Sequence, residues 1–216
     1  MSHPKILTSE QVDAFVRDGY VVVDGVLSSE ELTRFGHAVD AAVEGRAGAD
    51  KRTLPEKSLY EQSFVQCINL WEDSVDVRRL TFDARIGEMA AQLLGADAVR
   101  IWHDQALYKP ARDGGSVFWH QDNAYWKCIP ANLASCWLTL DDVNVENGAM
   151  HLMPGSHLAP LGHDRSHSTC SLLDIGEEVD ETQAAVIDLP AGGALFHHCQ
   201  TMHYTCLLYT SDAADE

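Results

Sequence analysis

From about residue 98 onward the sequence is cut into short runs by turn formers, and that punctuation limits what the second half can build. Val99, Ile101, His103 and Gln105 alternate with Arg100, Trp102, Asp104 and Ala106, a period of two that predicts a strand ending at Lys109-Pro110. Further short strands are predicted within 116–122, 135–140, 149–153, 185–189 and 194–198. Asn147-Gly148 predicts a hairpin turn, and Pro154-Gly155 and Gly192-Gly193 mark further breaks. Strands this short and this numerous point to a sandwich or barrel of the jelly-roll kind, with helices packed outside it.

The first half reads differently. Thr8 with Gln11, and Ser28 with Glu31, are capping-box patterns, each opening an amphipathic stretch. Leu32, Phe35, Val39 and Val43 recur at helical spacing in the second of these. Between them the β-branched run Tyr20-Val21-Val22-Val23 predicts a strand. Residues 46–57, charged and Gly-containing, are expected to form a surface loop. Helices are expected around 61–70 and from an Asp83 N-cap to Leu94, with Gly95 as the stop. At 216 residues, with no internal repeat and no linker composition, the chain is expected to be one structural domain. Residues 1–97 would form a helical flank with a short strand, 98–206 the β core, and 207–216 a non-native or truncated tail.

Charge excludes some partners. With 33 acidic against 15 basic residues the formal net charge is -18, so nothing here tracks a nucleic-acid backbone or an anionic membrane surface. No apolar run approaches bilayer length, and the first residues lack the apolar core of a secretory signal, which makes the cytoplasm the expected compartment. The six cysteines form no C-x-x-C pair and are expected to be reduced thiols.

The histidines are the residues that suggest chemistry: nine of the 11 fall after residue 98. Val117-Phe118-Trp119-His120-Gln121-Asp122 sets His120 and Asp122 two apart on a predicted strand, where both side chains would project to one face and Gln121 to the other. An imidazole and a carboxylate suit a divalent first-row metal, and a second histidine would complete a facial triad of two histidines and one carboxylate. About one H-x-D pair is expected by chance in such a chain, so the pair needs a third ligand from a distant strand. His203, which follows the apolar strand after Gly192-Gly193 and the break at 199–202, leads, with His197 and His198 as rivals. Tyr125-Trp126, just after the pair, would line a pocket or pack, and 158–183 reads as a loop at the mouth.

Three segments together resemble the phytanoyl-CoA dioxygenase family: Trp119-His120-Gln121-Asp122, the run Asn147-Gly148-Ala149-Met150-His151-Leu152-Met153-Pro154-Gly155-Ser156-His157, and the Gly-Gly strand before Met202-His203. The resemblance covers most of the chain. It implies a mostly β domain with flanking helices, a double-stranded β-helix (jelly roll, cupin-like) that binds Fe(II) and 2-oxoglutarate. The activity it implies is O2-dependent hydroxylation or related oxidation of a small molecule, coupled to decarboxylation of 2-oxoglutarate to succinate and CO2. His120, Asp122 and His203 match the family's iron ligands. Gln105, Trp137 and Thr205 match positions that contact the co-substrate. Three protein ligands would leave three coordination positions, two for the keto acid and one for O2. Retention of a carboxylate at Asp122 favours hydroxylation over halogenation, because halogenating relatives give up that carboxylate to admit halide.

One expected residue is missing. Relatives grip the far carboxylate of 2-oxoglutarate with an arginine about ten residues after the last histidine, and here residues 204–216 hold no basic residue. Either Lys109, or a neighbour such as Arg100 or Arg112, supplies the charge, or the closing residues are foreign sequence and the last strand or strands of the β core are lost. The missing arginine also motivates two other readings: an inactive relative acting as a binding or sensing module, and a cupin-like metalloenzyme that does not use 2-oxoglutarate.

Overall fold

The computed structural model describes residues 6–53, 56–57, 65–108, 117–126, 128–159 and 179–205. Both capping boxes form as predicted. The Thr8 side chain accepts from the Gln11 backbone at the start of α1 (Ser9–Asp18), and Ser28 does the same for Glu31 at the start of α2 (Ser29–Ala49). Helix α2 runs through Ala49, so the first part of the loop expected at 46–57 is its last turn. A 3-10 turn at Leu70–Glu72 and α3 (Val75–Thr81) follow, and then α4 (Ala84–Leu93) with Asp83 as its N-cap and Gly95 at positive φ beyond its end.

Nine short strands are described: β1 (Tyr20–Val23), β2 (Val65–Ile68), β3 (Gln105–Tyr108), β4 (Val117–His120), β5 (Ala134–Leu138), β6 (Met150–Leu152), β7 (Ala185–Ile187), β8 (Ala194–His198) and β9 (His203–Thr205). They form three antiparallel sheets, ordered β1-β8-β5, β4-β9-β6-β7 and β2-β3. The helix expected over 61–70 is corrected: its described part is strand β2 and the start of the 3-10 turn. The strand expected from Val99 begins only at Gln105. Among the described residues, 98–104 pair with no strand, and Val99, Ile101 and Trp102 are exposed. Asp104 is instead tied to the helical side, its side chain accepting from Trp71 N and Thr81 Oγ1 and its carbonyl from Asn69 N. Asn147-Gly148 does not close a hairpin either, because β5 and β6 belong to different sheets. A 3-10 turn at Val145–Asn147, capped by Asn144, makes that crossing, with Gly148 at φ 102°.

Alternation along each strand sorts residues into two cores. Leu195 of β8, Trp137 of β5 and Val22 of β1 meet Met150, Leu152 and Ile187 from the other sheet, so the three-stranded and four-stranded sheets share one apolar interior. The opposite face of the three-stranded sheet, with Phe196, Ala194, Val21 and Cys136, packs on Phe15 of α1 and on Met89 and Leu93 of α4. Strand β8 lies between these layers, and Ala194, Leu195 and Phe196 are fully buried. Helix α2 covers the β2-β3 sheet through Ala38, Val39, Ala42 and Val43. Among the described residues no helix is long and apolar enough to cross a membrane.

Gly19 joins α1 to β1 and fastens the 198–201 corner. It sits at φ 81°, and its carbonyl accepts from His198 N at 2.8 Å and from Thr201 Oγ1 at 2.7 Å. A Cβ there would run into Thr201 Oγ1 and His157 Nδ1 as well as holding a left-handed conformation. Gly19→Ala is therefore expected to lower unfolding free energy by on the order of 2 kcal/mol or more, measured by urea denaturation; a change within about 0.5 kcal/mol would contradict this packing.

Candidate metal centre

Strand β4 delivers the first histidine and β9 the second. His120 and His203 are direct partners in the β4-β9 pairing, so both side chains leave the sheet on the same side. That side is the interior, because β9 also pairs with β6, where His203 stands opposite the fully buried Leu152. Trp119, Met202 and Tyr204 take the other face. The two imidazole rings lie with centroids 4.2 Å apart.

Asp122 reaches the same place by a different route from the one the sequence predicts. It is not on β4 but in the turn after it, which leads into the short α5 (Asn123–Trp126). Two hydrogen bonds pin that turn to the corner leading to His203: Asn123 N donates to Cys199 O at 2.8 Å, and the buried Gln121 donates through Nε2 to Gln200 O at 2.6 Å. Oδ1 of Asp122 thereby comes within 3.7 Å of His120 Nε2 and 3.8 Å of His203 Nε2. One donor atom from each of His120, Asp122 and His203 lies within 4.8 Å of the others.

The donor chemistry fits a metal ion. His203 Nδ1 lies 2.9 Å from Thr201 O, and since a carbonyl can only accept, Nδ1 carries the proton and Nε2 presents its lone pair toward Asp122. Burial and the neighbouring His197 push the His203 pKa down to about 4, which keeps the ring neutral. Burial alone would raise the Asp122 carboxyl, but His203, His197, His120 and the Ser135 hydroxyl outweigh it and hold the group below its ordinary value. A neutral His203 nitrogen and an ionised Asp122 oxygen, with the His120 imidazole beside them, are donors of the kind a divalent first-row cation binds. Ligand bonds of about 2.1 Å let one ion bridge donors up to about 4 Å apart, so the Oδ1 to Nε2 separations fall within reach.

Of the rivals, His198 faces the opposite way, with its ring against Phe15 and His157. His197 does face the triad. It is 3% exposed, its ring centroid lies 4.4 Å from that of His203, and its Nδ1 lies 4.0 Å from Asp122 Oδ2. Trp137 and Thr205 lie one residue pair farther along the inward face, two residues from Ser135 and His203 respectively; Thr205 stands opposite Met150, and Trp137 opposite Leu195. Gln105 is not brought to this cluster by strand pairing: it is exposed at the start of β3, opposite Ile68 of the two-stranded sheet. Lys109, Arg112 and residues 160–178 and 206–216 lie outside the described residues. Tyr125 sets its ring edge against His120 at 5.8 Å, and Trp126 does so against His103 at 5.7 Å.

Sequence reasoning missed Ser135, Gln121 and Thr201. Ser135 had a usable signal, since it shares a strand face with Trp137 by the period of two. Gln121 and Thr201 act through backbone carbonyls of a corner whose path no periodicity announces.

Residues 15–206 match the family model described as phytanoyl-CoA dioxygenase. The chain is 27% identical over 225 residues to the ectoine dioxygenase of Stutzerimonas stutzeri (strain A1501), covering 91% of this chain and 70% of that relative. It is 26% identical to a probable alpha-ketoglutarate-dependent hypophosphite dioxygenase of Stutzerimonas stutzeri, covering 90% and 71%. Among crystal structures, the non-heme alpha ketoglutarate dependent carbocyclase SnoK from nogalamycin biosynthesis superposes with a TM-score of 0.75 at 26% identity, covering 97% of this chain and 82% of that one. EvdO2 from Micromonospora carbonacea var. aurantiaca, complexed with 2-oxoglutarate, gives the same TM-score and identity, covering 97% and 88%. A match over this much of the chain, together with the His-Asp-His cluster between the sheets, assigns the chain to the phytanoyl-CoA dioxygenase family.

Proposed function

We propose that His120, Asp122 and His203 are the iron ligands of this non-haem, 2-oxoglutarate-dependent dioxygenase, and that its outcome is hydroxylation of a small molecule. The observation that carries the ligand assignment is the convergence of His120 Nε2 and Asp122 Oδ1, from the end of β4 and its turn, with His203 Nε2 from the distant β9. When bound, Fe(II) with 2-oxoglutarate and O2 supplies the oxidising chemistry, consuming 2-oxoglutarate to succinate and CO2. The chain's own contribution is to keep the His203 imidazole neutral and aimed, to keep the carboxylate ionised, and to close the interior beside them with Leu152, Leu195 and Met150. The two facing sheets support a double-stranded β-helix over 98–206, to which β1 of the N-terminal part adds a strand. Trp137 and Thr205 are read as co-substrate contacts because they occupy the next inward layer. Gln105 keeps that role on the family resemblance alone, and Lys109 stands as the cation that would replace the missing arginine at the far carboxylate.

By their names, the relatives act on ectoine and hypophosphite, and both names support a small substrate here. A net charge of -18 disfavours a polyanionic one such as a CoA thioester. A cytoplasmic setting belongs to the same reading, supported by Cys67, Cys128, Cys136 and Cys199 being free thiols.

Anaerobic addition of Fe(II) and 2-oxoglutarate is expected to give a weak visible charge-transfer band, and O2 is then expected to release succinate. Asp122→Ala and His203→Ala are each expected to abolish the band and cut succinate formation by about a hundredfold or more. A wild-type band in either variant would refute the ligand assignment. Thr205→Ala is expected to raise KM for 2-oxoglutarate about tenfold or more while Fe(II) affinity stays put, as befits one hydrogen bond to a charged carboxylate. An unchanged KM would remove Thr205 from the co-substrate site.

A further inference from the structure

A carboxylate has two oxygens, and in this site they have different neighbours. Oδ1 of Asp122 faces His120 and His203. Oδ2 accepts a 2.8 Å hydrogen bond from Ser135 Oγ and has His197 Nδ1 4.0 Å away. Ser135 and His197 are direct cross-strand partners on β5 and β8, so one rigid ladder presents both to the same oxygen. His197 Nδ1 is buried and has no hydrogen-bond partner among the described residues.

Asp122 needs such a hold. It lies beyond the end of β4, in a turn fixed through its backbone and through Gln121, and those bonds leave the carboxylate itself free to rotate. A hydroxyl donating to an ionised carboxylate makes a charge-assisted bond, stronger than a neutral one and directional. We propose that Ser135, backed by His197, is a positioning residue that reserves Oδ2 of Asp122, so that the carboxylate meets the metal through Oδ1 alone. This inference rests on the reading of His120, Asp122 and His203 as iron ligands. Its consequence is a one-oxygen ligand: a carboxylate engaging through both oxygens would fill a position that the co-substrate or O2 requires. Partners that orient a metal ligand in this way are typically worth about 10- to 100-fold in metal affinity.

The test uses the full chain and Co(II), without 2-oxoglutarate, with affinity read by calorimetric titration and by the visible absorption of bound Co(II). Ser135→Ala is expected to weaken Co(II) binding about 10- to 100-fold. Ser135→Thr, which keeps the hydroxyl, and Ser135→Val, its isostere without one, separate hydrogen bonding from packing. Thr is expected to bind within about threefold of wild type and Val to bind as weakly as Ala, with apo melting temperatures of Thr and Val alike. Equal Co(II) affinity for Thr and Val, or wild-type affinity in Ser135→Ala, would overturn the proposal. Asp122→Ala is the control for the underlying reading: wild-type Co(II) affinity there would sink the ligand assignment itself, whereas loss there with no effect at Ser135 would sink only the positioning role.

Discussion

Everything in the site depends on the corner at 199–202, where the chain leaves the three-stranded sheet and enters the four-stranded one. Strand β8 ends at His198, and Cys199 and Thr201, both fully buried, make the crossing. Thr201 is held at both ends: its hydroxyl donates to Gly19 O, and its carbonyl accepts from His203 Nδ1. The same corner offers the Cys199 and Gln200 carbonyls to the turn carrying Asp122. One short segment therefore orients the last imidazole, sets its tautomer and places the carboxylate, and buried polar groups with so many obligations rigidify what they connect.

The electrostatics follow from this enclosure. An ionised carboxylate taken out of water costs several kcal/mol unless something replaces its hydration, and Ser135 supplies one hydrogen bond. Imidazoles do not supply a full compensating charge, since burial lowers His203 and His197 toward the neutral form. With Asp122 ionised and the His203 lone pair aimed at it, the site is thus better satisfied by a divalent cation than by protons. The same reasoning explains why His197 and His198, adjacent in sequence, have different fates. Alternation on β8 turns His197 to the interior beside Asp122, and it turns His198 outward against Phe15 and His157.

Much of this was legible in the sequence, and the parts that were not share a cause. Capping boxes at Thr8 and Ser28 and the apolar run at Ala194–His198 are local signals, and each produced the element expected. His203 was separable from its neighbours because a turn intervenes before it. The failures came where an element depends on a distant partner. Residues 98–104 alternate properly yet have no strand to pair with among the described residues, and Asp104 is captured by Trp71 and Thr81 instead. Asn147-Gly148 has hairpin chemistry, but its flanking strands belong to different sheets, so the glycine's positive φ serves a crossing. His120 and Asp122 converge as the two-residue spacing suggested, but through a turn pinned by tertiary hydrogen bonds and not through strand alternation.

The inward face also explains why the donors stay separate from the core they grow out of. Along β9 and β8 the same side carries His203 and His197 at the polar end, and one residue pair away it carries Thr205 and Leu195. Leu195, Leu189, Met150 and Ile187 close that end, and Leu152 flanks His203 itself, with side chains that are buried and offer no hydrogen bond. A ring or carboxylate that swung toward them would exchange polar partners for hydrocarbon, at a cost of about 1–3 kcal/mol for a neutral group and more for the charged one. The apolar base therefore confines the ligands from below while Ser135 and the 199–202 corner confine them from the sides. Tyr125, an exposed aromatic, sets its ring 5.8 Å from that of His120. Donors already oriented by the fold spare the protein from reorganising its own buried charge when a cation or substrate binds.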